Sequence, residues 1–157
     1  MFVMSVKGGQ LKFLGGVFMV LVLIAIFIVC VNQNLRQSTP DARADDYPPG
    51  ETDGQQLDFL GSFGLETAGQ PADSREVTIP FEFDPTYEEY NKIQQEQGFD
   101  LSQFKGEKAL RFTYDVVNYP GYTAGIKANL LVFRGRIIGG DVSNTDIENG
   151  FVRGFKG

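Results

Sequence analysis

The most suggestive short motif in the sequence is a glycine pair followed by an acid, Gly139-Gly140-Asp141. Adjacent glycines let a ligand approach the backbone, and an aspartate beside them can hold a metal ion. The next residue is Val142 rather than a second acid, and the glycines fall inside a strand-like stretch rather than at a turn. We therefore interpret Gly139 and Gly140 as a β-bulge, or as a place where a helix or loop lies close against a sheet.

Catalytic chemistry has few other candidates. The sequence contains no histidine and one cysteine, Cys30, so Ser-His-Asp, Cys-His and zinc arrangements are excluded for this chain alone. Glu88 and Glu89 are adjacent, so on a helix they point about 100° apart and are poor partners for acid–base work. The stretch from Asp141 to Gly150 is rich in oxygen ligands but lacks the spacing of a calcium loop. We predict no catalytic residue, no metal site and no cofactor.

Exposed tyrosines are better candidates for binding. Tyr119 and Tyr122 flank a Pro-Gly turn, and Lys127 and Arg136 are basic residues of the strands that follow. Amphipathic rings on a loop, with cations nearby, are typical of contact sites. These four residues are our candidate interaction surface, and simple packing of the loop is the alternative.

A membrane segment precedes the polar part of the chain. Residues 13–31 form a run of 19 residues without a charge. At about 1.5 Å per residue, such a helix is about as long as a bilayer core is thick. A cleaved signal peptide is the alternative, but the run is long and no small residues mark a cleavage site at its end. We predict a transmembrane helix, residues 13–31, after a cytoplasmic tail, residues 1–12. The basic residues before the span favour this orientation weakly.

The remainder divides into a linker and a domain. Residues 32–52 are polar, contain three prolines and show no apolar period, as expected for a flexible linker. Residues 53–157 are predicted to form one extracytoplasmic domain, long enough for a single modest core. Its first half is acidic and its second half mildly basic. The net charge of −6 for the whole chain argues against nucleic acid as a partner, and we predict none.

Periodicity predicts the elements of this domain. A helix is expected at 54–63, with Thr52 or Asp53 able to cap its start, followed by a strand start at 65–67. A short strand at 76–80 and a helix at 85–97 capped by Asp84 come next. Three strands follow, in "ALRFTYDVVNY", "IKANLLVF" and "RIIGGDV". The fold class is therefore α+β: two helices packed on one face of an antiparallel sheet of three to four strands.

The same residues resemble a known bacterial family. The stretches "YNKIQQEQGFDLSQFKG", "NYPG", "ANLLVF" and "IIGGDV" are together similar to domain of unknown function 4830, found mostly in Gram-positive bacteria. The resemblance extends from about Leu57 to Phe155. It implies a small membrane-anchored domain and no established activity.

We expect a single-pass membrane protein whose extracytoplasmic domain is a non-catalytic binding or interaction module at the cell envelope. Its partner would be an envelope protein or a small ligand. Two alternatives remain open at this point. The first is a structural subunit of a membrane complex, and the second is a hydrolase of cell-wall or other glycans that uses carboxylates alone.

Overall fold

The computed structural model describes residues 44–144, 146 and 150–156, all of which belong to one compact unit. The predicted transmembrane segment, residues 13–31, lies outside them. Among the described residues, no helix is long and apolar enough to cross a membrane. Within these residues the elements are, in chain order, α1 (Asp53–Gly61), β1 (Asp73–Thr78), α2 (Pro85–Glu96), a 3-10 helix (Leu101–Phe104), β2 (Lys108–Asp115), β3 (Ile126–Phe133), β4 (Arg136–Asn144) and β5 (Phe151–Arg153).

The strands form one antiparallel sheet in the order β1-β2-β3-β4-β5, so each strand pairs with its neighbours in sequence. The predicted α+β meander is confirmed, but the sheet has five strands instead of three or four. The additional strand, β5, is short and follows β4 in the sequence. The strand expected at 65–67 is reduced to one isolated bridge, between Thr67 and Val116.

Both helices begin where their capping residues predict. Thr52 caps α1 and exchanges hydrogen bonds with Gln55, which makes a capping box. Asp84 Oδ1 accepts a hydrogen bond of 2.7 Å from the Tyr87 backbone N–H at the start of α2. Pro85 occupies the first helical position, where its missing N–H has no intrahelical partner to lose.

The two helices lie on opposite faces of the sheet, and the prediction that both lie on one face is wrong. Leu130 and Val132 belong to a core cluster with Leu60 of α1. The alternate residue Leu131 belongs to a second cluster, against which Tyr87 of α2 packs. Adjacent strand residues point to opposite faces, so the sheet carries a hydrophobic layer on each side. We call the sides the α1 face and the α2 face.

The physical reason is the apolar character of both faces of the central strands. A strand with one solvated face alternates apolar and polar residues, whereas β3 ends in a continuous apolar run, residues 130–133. Such a run buries side chains in both directions, so each face of the sheet needs a covering helix. The two core clusters meet this need separately.

The glycine pair of β4 lies beside a β-bulge and is closely approached by other groups. The register between β3 and β4 shifts between Leu131, opposite Gly139, and Val132, opposite Ile137, so Ile138 is the bulged residue. The side chain of Gln94, from α2, also reaches the strand, and its Oε1 accepts a 2.7 Å hydrogen bond from the Gly140 N–H. Gln97 Nε2 donates to Gly140 O at 3.1 Å. Gln94 of α2 and Gln97, which directly follows α2, thereby bond the edge of β4 at a residue where no described strand pairs with that edge.

The end of the predicted linker is part of the folded domain. Ala44 is buried, and the ring of Tyr47 packs against Phe99 and Phe104 with centroids 5.7 and 5.8 Å away. Pro49 forms a bridge with Arg136 at the start of β4. The polar composition of this segment predicted a linker, but its backbone pairs with the open edge of β4.

Candidate ligand-binding cleft

A cleft of about 420 Å³ crosses the α2 face of the sheet. Its volume falls within the range of small-molecule sites. Strand residues form its floor, and two tyrosines of α2 form one wall. The lining residues are Val77, Thr78, Tyr87, Tyr90, Arg111, Asn129, Leu131, Asp141, Ser143, Asn144 and Val152.

Asp141 is the organising residue of the polar part of the cleft. It is only 6% exposed. Asn129 Nδ2 donates to its Oδ1 at 2.8 Å, and Tyr90 OH donates to its Oδ2 at 2.9 Å. Asn129 Nδ2 also lies 3.1 Å from Ser143 Oγ, and Thr113 Oγ1 donates to Asn129 Oδ1 at 2.8 Å. The result is a hydrogen-bonded row across β2, β3 and β4 that is tied to α2.

Register explains why these side chains meet. Asn129 pairs with Thr113 on one side and with Asp141 on the other, so the three occupy one row of the sheet. Cross-strand neighbours have Cβ atoms about 4.5–5.5 Å apart, within reach of short polar side chains. Tyr90 then reaches the row from α2. The cleft is thus positioned by regular secondary structure rather than by loops.

Burial dominates the electrostatics of this row. Desolvation raises the pKa of Asp141 above its ordinary value of 3.8, and the hydrogen bonds from Asn129, Tyr90 and Ser143 act in the opposite direction. Burial, followed by the nearby Asp141 charge, raises the pKa of Tyr90 well above 10. Tyr90 therefore remains a neutral hydrogen-bond donor throughout the physiological pH range.

The cleft also has a positively charged part around Arg111, which we call its cationic pole. Arg111 lies on the floor, and its buried Nε has no hydrogen-bond partner among the described residues. Arg111 is directly opposite Arg75 of β1, so two guanidinium groups share one cross-strand position. Arg75 Nε contacts Asp73 Oδ2 at 3.1 Å. Leu131 of β3 lies between the strands of Arg111 and Asp141, and Val77 of β1 and Val152 of β5 add apolar lining at the two sides of the cleft.

The predicted interaction surface is divided by the fold. Tyr119 and Tyr122 contact each other, with centroids 6.0 Å apart, and both contact Phe151 of β5 at 5.8 and 5.7 Å. They form an aromatic cluster in the β2–β3 loop and at β5. Tyr122 is partly exposed, whereas Tyr119 packs against the core of the α1 face.

The two basic residues of that surface lie at opposite ends of the sheet. Lys127, at the start of β3, forms an ion pair with Asp115. Arg136 pairs with Phe133 at the β3–β4 hairpin, and its Nη1 donates to Tyr47 O at 3.2 Å. Six residues of extended strand separate 127 from 133, about 20 Å. The structure therefore brings Tyr119 and Tyr122 together but does not bring Lys127 and Arg136 into one site.

The cleft residues form no recognisable motif in the sequence. Asp141 follows the glycine pair and begins the oxygen-rich stretch to Gly150, whereas Arg111, Thr113 and Asn129 are strand positions. What the sequence does show is that these polar residues alternate with apolar residues along each strand. Alternation alone is typical of a solvated face, so it does not reveal that α2 covers part of these residues.

Metal chemistry finds no support within the described residues, where no group of three or more acidic or cysteine side chains is close enough to hold an ion. Asp141 is the single carboxylate that lines the described part of the cleft. Its oxygens accept hydrogen bonds from protein donors. The arrangement is therefore suited to holding a polar network in place beneath a ligand.

Comparison with known proteins connects this fold to a family. Neither the curated proteins nor the solved structures contain a significant match to the chain. A family model described as a domain of unknown function, DUF4830, matches residues 59–142. The matched part begins in α1, ends in β4 and covers more than half of the 157 residues. The chain is therefore a member of the DUF4830 family, the family that its sequence resembles.

Proposed function

We propose that this chain is a single-pass membrane protein whose extracytoplasmic domain binds a small ligand in the cleft of the α2 face and has no catalytic role. The observation that carries the proposal is the cleft itself. It combines a volume of about 420 Å³ with a preorganised polar row and apolar walls. Small-molecule sites typically have this composition.

The polar row supports binding rather than hydrolysis. Glycan hydrolysis by carboxylates requires two acids across a cleft, one of them a proton donor. Asp141 is the single carboxylate among the described lining residues. Its hydrogen bonds to Tyr90 and Asn129 fix its position beneath the cleft. This arrangement favours a rigid recognition surface.

A ligand screen tests the proposal with two matched aromatic substitutions. Tyr87 lines the cleft from α2, whereas Phe81 is 78% exposed and does not line it. Small molecules that raise the Tm of the full-length chain should lose that effect in Tyr87→Ala and keep it in Phe81→Ala. Binding to the folded state alone stabilises it by about 2.7 kcal/mol at a ligand concentration of 100 Kd. Hits that stabilise both variants equally would place binding elsewhere and contradict the proposal.

The proposed topology predicts which side of the membrane is accessible. In a Cys30→Ser background, Ser74→Cys on the exposed strand β1 should react with a membrane-impermeant maleimide on intact cells. Ser5→Cys, in the proposed cytoplasmic tail, should react only after permeabilisation. The reverse pattern of labelling would exclude an extracytoplasmic domain.

A further inference from the structure

The cationic pole of the cleft contains an unusual arrangement of charge. Arg75 and Arg111 are directly opposite each other on β1 and β2. Like charges at such a position destabilise a sheet, and natural sheets favour opposite charges there. Asp73 neutralises Arg75, while the buried Nε of Arg111 has no hydrogen-bond partner among the described residues. A buried donor without a partner costs about 1–3 kcal/mol.

A bound anion would compensate the positive charge of this pair. It would contact the part of the Arg111 guanidinium that lines the cleft, and it would reduce the repulsion between the two guanidinium groups. A guanidinium is planar and holds a carboxylate through two parallel hydrogen bonds. Resting on the proposed function, we infer that the cleft binds a monocarboxylate with an apolar body, and that Arg111 receives its carboxylate.

Charge decides between a carboxylate and a phosphate. Asp73 already compensates Arg75, and among the described residues Arg111 forms no ion pair, so it supplies one positive charge at this pole. Among the described lining residues the other charged one is Asp141, which repels a second negative charge on a ligand. One net cation balances one carboxylate, whereas a phosphate monoester carries up to two negative charges near neutral pH.

The apolar lining of the cleft indicates the chemistry of the rest of the ligand. Leu131 lies directly opposite Arg111 across β2 and β3, and it lines the cleft floor. Val77 and the ring of Tyr87 add apolar surface to the same cleft. A ligand whose carboxylate contacts Arg111 therefore places its body against aliphatic and aromatic groups, where burial contributes about 25 cal/mol per Å².

Four probes of similar shape test the inference on the full-length chain by isothermal titration calorimetry: 3-phenylpropionate, 3-phenylpropionamide, 3-phenylpropylammonium and 2-phenylethyl phosphate. The acid should bind at least about tenfold more tightly than the amide, because a charge-assisted bond to Arg111 distinguishes them. The ammonium and the phosphate should bind more weakly than the acid.

The two arginines of the cross-strand pair provide the matched variants. Arg111→Gln should remove the preference for acid over amide, and Arg75→Gln should retain it. Equal affinity for acid and amide in the unsubstituted chain would overturn the inference and leave the cleft as a binding site. So would tighter binding of the ammonium or the phosphate. If no probe bound, the inference would fail, and the ligand screen would decide separately whether the cleft binds another class of small molecule. The comparison of acid and amide needs no variant, so it remains decisive if Arg111→Gln does not fold.

Discussion

Replacing Gly140 by valine should destabilise the domain by about 3 kcal/mol, the upper range for overpacking a well-packed site. A Cβ at this position would lie 2.5 Å from Phe155 Cζ and closer still to the backbone oxygen of Asn129. The backbone of β3 cannot retreat without breaking the ladder that holds the sheet. Urea unfolding of the full-length chain, followed by circular dichroism at 222 nm and by tyrosine fluorescence, measures the change.

Gly61→Val is the matched control for this substitution. A Cβ on Gly61, the last residue of α1, meets nothing within 4 Å, so its cost should stay within about 0.5 kcal/mol. The comparison separates overpacking at the sheet from a general effect of adding a side chain. If Gly140→Val left stability intact but abolished ligand binding, the close approach at Gly140 would be made by a ligand, and our structural explanation of the glycine would be rejected.

Replacing Asp141 by alanine should cost about 3 kcal/mol of unfolding free energy. The substitution leaves Tyr90 OH without its acceptor and removes the partner that Asn129 Nδ2 holds at 2.8 Å. Each buried donor that loses its acceptor costs about 1–3 kcal/mol. Asp141→Asn retains one carbonyl oxygen and nearly the same shape, so it should cost clearly less. Equal costs for the two variants would show that the hydrogen-bonded row contributes little.

The same residue gives a pH dependence with a defined sign. Burial raises the pKa of Asp141 above 3.8, so the folded chain retains this proton to a higher pH than the unfolded chain. The stabilisation from this group is complete below 3.8 and is lost as the pH rises through the folded-state pKa. The unfolding free energy of the unsubstituted chain minus that of Asp141→Asn should therefore fall across this window. A difference that rises with pH would contradict the burial of the carboxylate.

Local signals in the sequence were sufficient for most of the secondary structure. Asp84 and Thr52 predict the helix starts because short oxygen-bearing side chains satisfy free backbone N–H groups, which is a local interaction. Gly140 was interpretable for a similar reason. Two adjacent glycines in a strand indicate close approach by other groups, which are Gln94 at Gly139 and Phe155 at Gly140.

Long-range packing was not predictable in the same way. Tyr87, Tyr90 and Ile93 are the apolar residues of α2, yet the most buried side chains of this helix are Asn91 and Gln94. Their amides bond to backbone groups outside the helix, Asn91 to Leu101 N–H and Gln94 to Gly140 N–H. No apolar period marks such a face. The position of α2, and with it the cleft beneath its tyrosines, depends on partners distant in sequence.

The central claim, that a ligand lies on the α2 face of the sheet, is tested most directly by the methyl NMR signals of two consecutive residues. Leu131 lines the cleft, and Leu130 is buried in the core of the opposite face. Titration of the methyl-labelled full-length chain with a ligand from the screen should shift the Leu131 methyl signals and leave those of Leu130 nearly unchanged. Shifts confined to Leu130, or absent from both residues while the ligand binds, would contradict the account.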